Sequence, residues 1–299
     1  MSPINKVALV GKGMLGSAVL GQLLKAGFDV TILSRSNKED PTGAAVAQVD
    51  YSSIDSLTAA LRGQDAVVST VGSEGIASQK LIIDAAIIAG VRRFIPSNFG
   101  SVVTDPKAKD ILLFQGMVQI ADYLKEKASA GEIEYTLIAP GAFTEFCFGG
   151  PMFIDPQSRT AQFHGNGQVP VSSTSLGGIG KAVAGALLKA DETKNRLLHI
   201  HQTVLTQAKM LQLAKKIQPE GAEWTQTTVD PLEALEAATK QFQENPADFG
   251  SVMGLIRSVV LSGKYYSGYT ELDNDLVGLE MFSDEDLLRD WAPLLAKSQ

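Results

Sequence analysis

The sequence predicts an α/β protein: a doubly wound parallel sheet with helices on both faces, joined to a smaller, mostly helical lobe. Three observations carry that prediction. Strand and helix patterns alternate through the first 140 residues, three glycines at G-x-G-x-x-G spacing link the first strand to the first helix, and helical periodicity dominates beyond residue 207.

The elements follow in order. An apolar strand, Lys6 to Val10, leads through the glycine turn into an amphipathic stretch, Leu15 to Lys25, that stops at Gly27. Strand Asp29 to Ser34 comes next, then strand Val46 to Val49, helix Ile54 to Arg62 and strand Ala66 to Val71. Helix Ser78 to Gly90 leads to strand Arg93 to Pro96, and helix Ile111 to Lys127 to strand Glu134 to Ala139. After Pro140, glycine and proline become frequent and the span reads as loop-rich. Helix Ile179 to Lys189 and strand Leu197 to His201 then form one more unit able to rejoin the sheet. Beyond it lie helices Ala208 to Ile217, Pro231 to Phe242, Phe249 to Leu261 and Asp284 to Leu295, with short strands at Thr203 to Thr206 and Thr225 to Val229. The expected division is a dinucleotide-binding domain over 1–150, its sheet completed by 170–201, and a substrate lobe formed by 151–169 and 202–299.

Apolar residues make up 44% of the 299 and charged residues 20%, the profile of a globular protein. A net charge of -7 argues against general nucleic-acid binding, which needs a dense cationic surface. No apolar run approaches the ~20 residues that span a bilayer. Met1 to Val10 lacks the charged lead and long apolar stretch of a secretory signal. Cys147 is the single cysteine, so no intrachain disulfide forms. The expected setting is the cytoplasm, with a small-molecule partner and a monomeric or homodimeric state.

The glycine turn carries the chemistry. In Gly11-Lys12-Gly13-Met14-Leu15-Gly16 the first glycine permits a tight turn, the second lets backbone approach a pyrophosphate, and the third packs helix on strand. The helix amino terminus then presents unpaired N–H groups to the phosphates. At the end of the second strand, where a free ribose 2'-hydroxyl is usually met by Asp or Glu, the sequence reads Ser34-Arg35-Ser36. Arginine there suits a 2'-phosphate, so the expected cofactor is NADPH, held by Arg35 and Ser36 with Lys38 assisting. Thr70, Val71 and Gly72, after Ser69, are small enough to pass beneath the cofactor's ribose.

The segment Arg93-Phe94-Ile95-Pro96-Ser97-Asn98-Phe99-Gly100 resembles the Arg-Phe-x-Pro-Ser-Glu-Phe-Gly signature of the isoflavone reductase-like, NmrA-like group of atypical short-chain dehydrogenases. Gln79 ahead of Leu81 to Ala86, Tyr135-Thr136 before Pro140-Gly141-Ala142-Phe143, and Leu176 to Val183 before Asn195 match the same group. The resemblance runs from the glycine turn to about His201. It implies a Rossmann core, NADPH binding and, commonly, reduction of aromatic or phenolic metabolites, with Gln79 among the cofactor contacts and the nicotinamide held against the site by Ser97, Asn98, Phe99 and the turn of Pro140, Gly141 and Phe143.

Three positions depart from the family pattern. The lysine that serves the family's reductases as base or proton relay is replaced by Met117, whose thioether carries no proton. Asn98 stands where the signature has Glu, and Gly178 where a related Asp often precedes Ile-Gly. Tyr123 and Lys127 repeat a Tyr-x-x-x-Lys spacing, but six helical residues past Met117 turn Tyr123 ~240° away.

The proton is expected from His164, in the loop His164-Gly165-Asn166-Gly167, from a water held by Asn98 or from the substrate's own hydroxyl, although His164 also reads, more blandly, as an exposed turn histidine. His199 and His201 alternate on a strand and read as structural. Met117, Phe143, Phe146 and Phe153 are expected to wall a flat apolar substrate, although Met117 and the aromatics read equally well as core. Together these features predict an NADPH-dependent reductase of a small aromatic or polyketide-type metabolite. The alternatives are an NADP(H)-sensing regulator without turnover and a non-redox isomerase, cyclase or lyase on the same fold.

Overall fold

A computed structural model describes residues 3–37, 39–149, 152–217 and 223–296. Its first half is the alternating unit: β1 (Lys6–Val10), α1 (Met14–Lys25), β2 (Asp29–Ser34), β3 (Ala45–Gln48), α2 (Ile54–Leu61), β4 (Ala66–Ser69), α3 (Gln79–Ala89), β5 (Arg93–Ile95), α4 (Gln115–Ser129) and β6 (Glu134–Ala139). Then come β7 (Ala142–Phe143), α5 (Thr144–Gly149), β8 (Thr160–His164), β9 (Val171–Thr174), α6 (Leu176–Leu188) and β10 (Arg196–His199). The remainder is β11 (Thr203–Leu205), α7 (Gln207–Ile217), β12 (Thr225–Val229), α8 (Pro231–Glu244), α9 (Phe249–Leu261), α10 (Asn274–Val277) and α11 (Asp284–Ala296).

Seven strands form one parallel sheet in the order β10-β6-β5-β4-β1-β2-β3. In β1, Val7 to Val10 are all fully buried, because a central parallel strand is covered on both faces. Val19, Leu20 and Leu23 of α1 and Ile179, Val183 and Leu187 of α6 cover one face. Leu57, Ile82, Ile83, Ile120 and Leu124 of α2, α3 and α4 cover the other. A third cluster joins α5, α7, α9 and α11, with Phe148 stacked on Trp291 at 5.2 Å between ring centroids.

The span expected to be loop holds four short elements. β7 and β11 flank β9 in a three-stranded sheet, and β8 pairs in parallel with β12. Strands of two to five residues are too short for hydrophobic alternation to announce them. The helix expected from Ile111 starts later: Ile111 is extended, Leu112–Phe114 forms a 3-10 turn, and buried Phe114 anchors the entry to α4.

The amino end of β5 is tied to β6 and to the loop before β10 by a buried charge. Arg93 has no exposed surface and donates to Glu134, Thr136, Thr193 and the Ala190 carbonyl at 2.6–3.1 Å, while Arg92 and Lys194 also reach Glu134. Burial pushes the Glu134 carboxyl up, but Arg93, Lys194 and Arg92 outweigh it and hold the pKa below the usual value. A lowered carboxyl pKa adds stability above the unfolded pKa of ~4.3, and that stability is lost as pH falls through the folded value. Glu134→Gln should cost about 2 kcal/mol at pH 7, because Arg93 loses its carboxylate partner, and progressively less as pH falls below ~4.3. Urea midpoints across that range check it. A cost that does not change with pH would contradict the assignment.

Candidate cofactor and active site

The turn after β1 is held by close backbone packing. Gly11 has φ +87°, and a Cβ there would lie 3.0 Å from the Thr70 carbonyl group. A Cβ on Gly16 would lie 2.1 Å from the Gly11 oxygen and 2.6 Å from Thr70 Oγ1. Thr70 Oγ1 itself donates to the Gly11 carbonyl at 2.5 Å, so this side chain braces the turn. Gly13 differs: a Cβ there would meet nothing within 4 Å. Gly13 is also the N-cap of α1 and provides no side-chain hydrogen bond, so no cap takes up the first-turn N–H groups. Met14 is exposed, and Leu15 packs on the core behind the turn.

Gly11, Lys12, Arg35, Val71 and Gly72 line one cleft of about 820 Å³. Lys12 Nζ is bonded to Asp40, whose carboxyl is held down to about 2 by Lys12 and by the Thr42 hydroxyl and N–H. Arg35 makes no ion pair among the described residues, which leaves its guanidinium available to an anion. Ser36 is exposed beside it, and Lys38 lies outside the described residues. Tyr51, which no motif singles out, also lines the cleft and donates to the Leu33 carbonyl at 2.8 Å. Its position just past β3, at the sheet's carboxyl edge, was the available signal.

At the carboxyl end of β5, Ser97 N–H donates to Gln79 Oε1 and Ser97 Oγ to the Val71 carbonyl, both at 2.7 Å. Gln79 has no exposed surface. Its expected cofactor contact is therefore corrected to a clamp that positions Ser97. The Phe99 ring belongs to the first core cluster. Asn98 is 2% exposed, and its Oδ1 is buried without a partner, an acceptor in want of a donor. After β6, the Pro140 carbonyl accepts from Thr174 Oγ1 at 2.6 Å. Gly141 has φ +70°, and a Cβ there would lie 2.0 Å from the Ser172 carbonyl oxygen.

Tyr269, missed in the sequence because it lies outside every motif, spans both loops. Its hydroxyl donates to the Ser101 carbonyl and sits against the Gly141 N–H. Its N–H donates to Ser172 Oγ, which also bonds His201 Nδ1 at 2.8 Å. The His199 ring lies 4.6 Å from the Tyr269 ring.

Met117 is half-buried between the second and third hydrophobic clusters. Phe143 is half-buried and stacks on the more exposed Phe146 at 5.9 Å. Phe153 has no exposed surface and packs inside the third cluster, so it is core and no substrate wall. His164 also departs from expectation. It ends β8, is 3% exposed, and its backbone N–H donates to Gln207 Oε1. Burial, aided by the Arg257 charge, lowers its pKa to about 4, so it is neutral at pH 7 and poorly suited to donate a proton. Glu145 accepts from the Leu176 N–H at 2.9 Å and caps α6. At Gly178 a Cβ would lie 2.3 Å from Gln202 Oε1, so Gln202 fills the space of the missing acid. The Tyr123 hydroxyl donates to Asp84 on α3, consistent with a role on the helix face.

Among the described residues no helix is long and apolar enough to cross a membrane. The chain is similar to the oxidoreductase aprR of Aspergillus flavus, 30% identical over 95% of this chain and 97% of that protein. It is similar also to the isoflavone reductase homolog IRL of Zea mays, 27% identical over 87% of each chain. Among solved structures it resembles the binary complex of leucoanthocyanidin reductase and NADPH from Vitis vinifera, with a TM-score of 0.79 and 21% identity over 97% of this chain and all of that one. At that identity the likeness speaks to the fold. The NmrA-like family profile matches residues 5–273, further than the resemblance that faded near His201 and far enough to include Tyr269; this chain belongs to the NmrA-like family.

Proposed function

We propose that the protein is an NADPH-dependent reductase of a small aromatic or polyketide-type metabolite. One observation carries the reading: Gly11 and Lys12, in the turn that leads through Gly13 into the uncapped amino end of α1, line a single cleft with Arg35, which makes no ion pair among the described residues. Backbone N–H groups there suit a pyrophosphate, and a guanidinium suits a 2'-phosphate. The names of the relatives, an oxidoreductase and an isoflavone reductase homolog, support the same reading. In the proposed division, 1–150 with 170–201 holds the cofactor, and 151–169 with 202–299 closes over the substrate.

Bound NADPH supplies the hydride. The protein's part is to orient the acceptor and exclude water: the Phe143 and Phe146 rings flank a flat substrate, while Gln79 and Tyr269 fix the loops that carry Ser97 to Ser101 and Gly141. Met117 transfers no proton and His164 is buried away as a neutral ring, so the proton comes from water or from the substrate's own hydroxyl, held by Asn98 Oδ1.

Titration of the purified protein with NADPH, followed by NADPH oxidation at 340 nm against a panel of aromatic ketones and quinones, tests this. Failure to bind NADP in either redox state removes the reading. Arg35→Gln should weaken NADPH binding ten- to thirtyfold and leave NADH binding within twofold, since only the 2'-phosphate contact is lost. An equal loss for both cofactors would place Arg35 elsewhere. Met117 itself supports a second reading, a regulator that binds NADP(H) without turnover. Comparable affinity for the oxidised and reduced forms, with no turnover, would favour it.

A further inference from the structure

The geometry points to a second ligand site at Arg257, where a small oxyanion, a carboxylate or a phosphate, binds apart from the cofactor cleft. Arg257 on α9 reaches the paired strands β8 and β12, and its Nη2 donates to the Gln162 carbonyl at 3.1 Å. Its Nε is buried without a partner, and among the described residues the guanidinium makes no ion pair. A cation taken out of water costs free energy that an acidic partner normally offsets. Here the nearby carboxylate is already engaged: Asp155 accepts from Ser158 Oγ and from the Gln157 and Ser158 N–H groups of its own turn.

A cavity of about 350 Å³ opens against this guanidinium, and it shares no lining residue with the cofactor cleft. The strand register sets Thr160 opposite Thr225 and Gln162 opposite Thr227, and all four line the cavity. Threonine hydroxyls and a planar guanidinium are donors suited to an oxyanion. His164 follows two residues after Gln162 along β8. It is 3% exposed with Nδ1 unpartnered, and it lies close enough for the Arg257 charge to act on it. The unpartnered Arg257 Nε at this cavity, with a second unpartnered nitrogen, His164 Nδ1, two residues further along β8, marks a site whose polar partner comes from outside the chain. The cavity is at the small end of ligand pockets, which limits the occupant to a few heavy atoms and water. The Asp155 charge on the rim favours a singly charged carboxylate over a doubly charged phosphate.

Thermal unfolding in sodium acetate, sodium phosphate and sodium chloride at matched ionic strength tests this on the full chain. The expected result is a saturable rise of about 3 °C in acetate or phosphate over chloride. Acetate alone identifies a carboxylate site, phosphate alone a phosphate site, and either supports the proposal. Arg257→Gln should abolish the rise while NADPH still shifts the transition, which shows that the variant is folded. Arg257→Lys, which keeps the charge without the fork, should halve it. Arg35→Gln should leave it unchanged. No rise with either anion, a rise that survives in Arg257→Gln, or one that disappears in Arg35→Gln would overturn the proposal, the last by moving the anion to the cofactor cleft.

Discussion

Gly16→Ala is expected to destabilise the fold by about 3–4 kcal/mol and to abolish NADPH binding, whereas Gly13→Ala should change stability by less than about 0.5 kcal/mol and still weaken binding more than tenfold. The two glycines lie three residues apart in one turn but face different neighbours. A methyl on Gly16 would press within 2.1 Å of the Gly11 oxygen, which Thr70 Oγ1 holds in place, so α1 can make room only by moving off β1. A methyl on Gly13 meets only space, and the φ of -79° there is open to any residue. That space has a use only if a phosphate occupies it. Urea unfolding and NADPH titration of both variants separate the two roles. If Gly13→Ala binds NADPH as tightly as the wild type, the cofactor does not lie against this turn.

Those two positions also show what a linear sequence discloses. The spacing of Gly11, Gly13 and Gly16 and the arginine after β2 could be read directly, because each acts on groups within its own turn or at the end of its own strand. The strands at the middle of the main sheet, β1 and β4, were legible because a buried parallel strand is a short run of small apolar residues. His164 was not, because its burial depends on α7, where Gln207 accepts from its N–H across 43 residues. Phe153 reads as a pocket aromatic until α5, α7, α9 and α11 are packed around it. Gln79 lies in a matching motif, yet its bond to Ser97 places it inside the protein. Tyr269 crosses to Ser101 over 168 residues, and its own surroundings carry no pattern that announces it. Local geometry is written in local sequence; which polar side chains face a ligand and which brace the frame is decided by distant packing.

Met117→Lys is expected to raise turnover about a hundredfold and to add an ionisation to the pH profile. An acid placed at a transferring proton contributes on the order of 10²–10⁴ in rate. The two side chains are unbranched and similar in length, and Met117 is half-buried, so the ammonium retains a route to water. Because the lysine must be protonated to donate, the new contribution is present at low pH and disappears as pH rises through its pKa. Met117→Leu, which alters shape without adding a proton, should leave the rate within about twofold and the profile unchanged. The same pair separates the two functional readings. A reductase limited by its proton source gains rate from the lysine, whereas a dinucleotide sensor with no bound acceptor gains nothing. Should Met117→Lys match the wild type in both rate and pH profile, Met117 does not face the reacting carbon, and the side chain is packing between two hydrophobic clusters and nothing more.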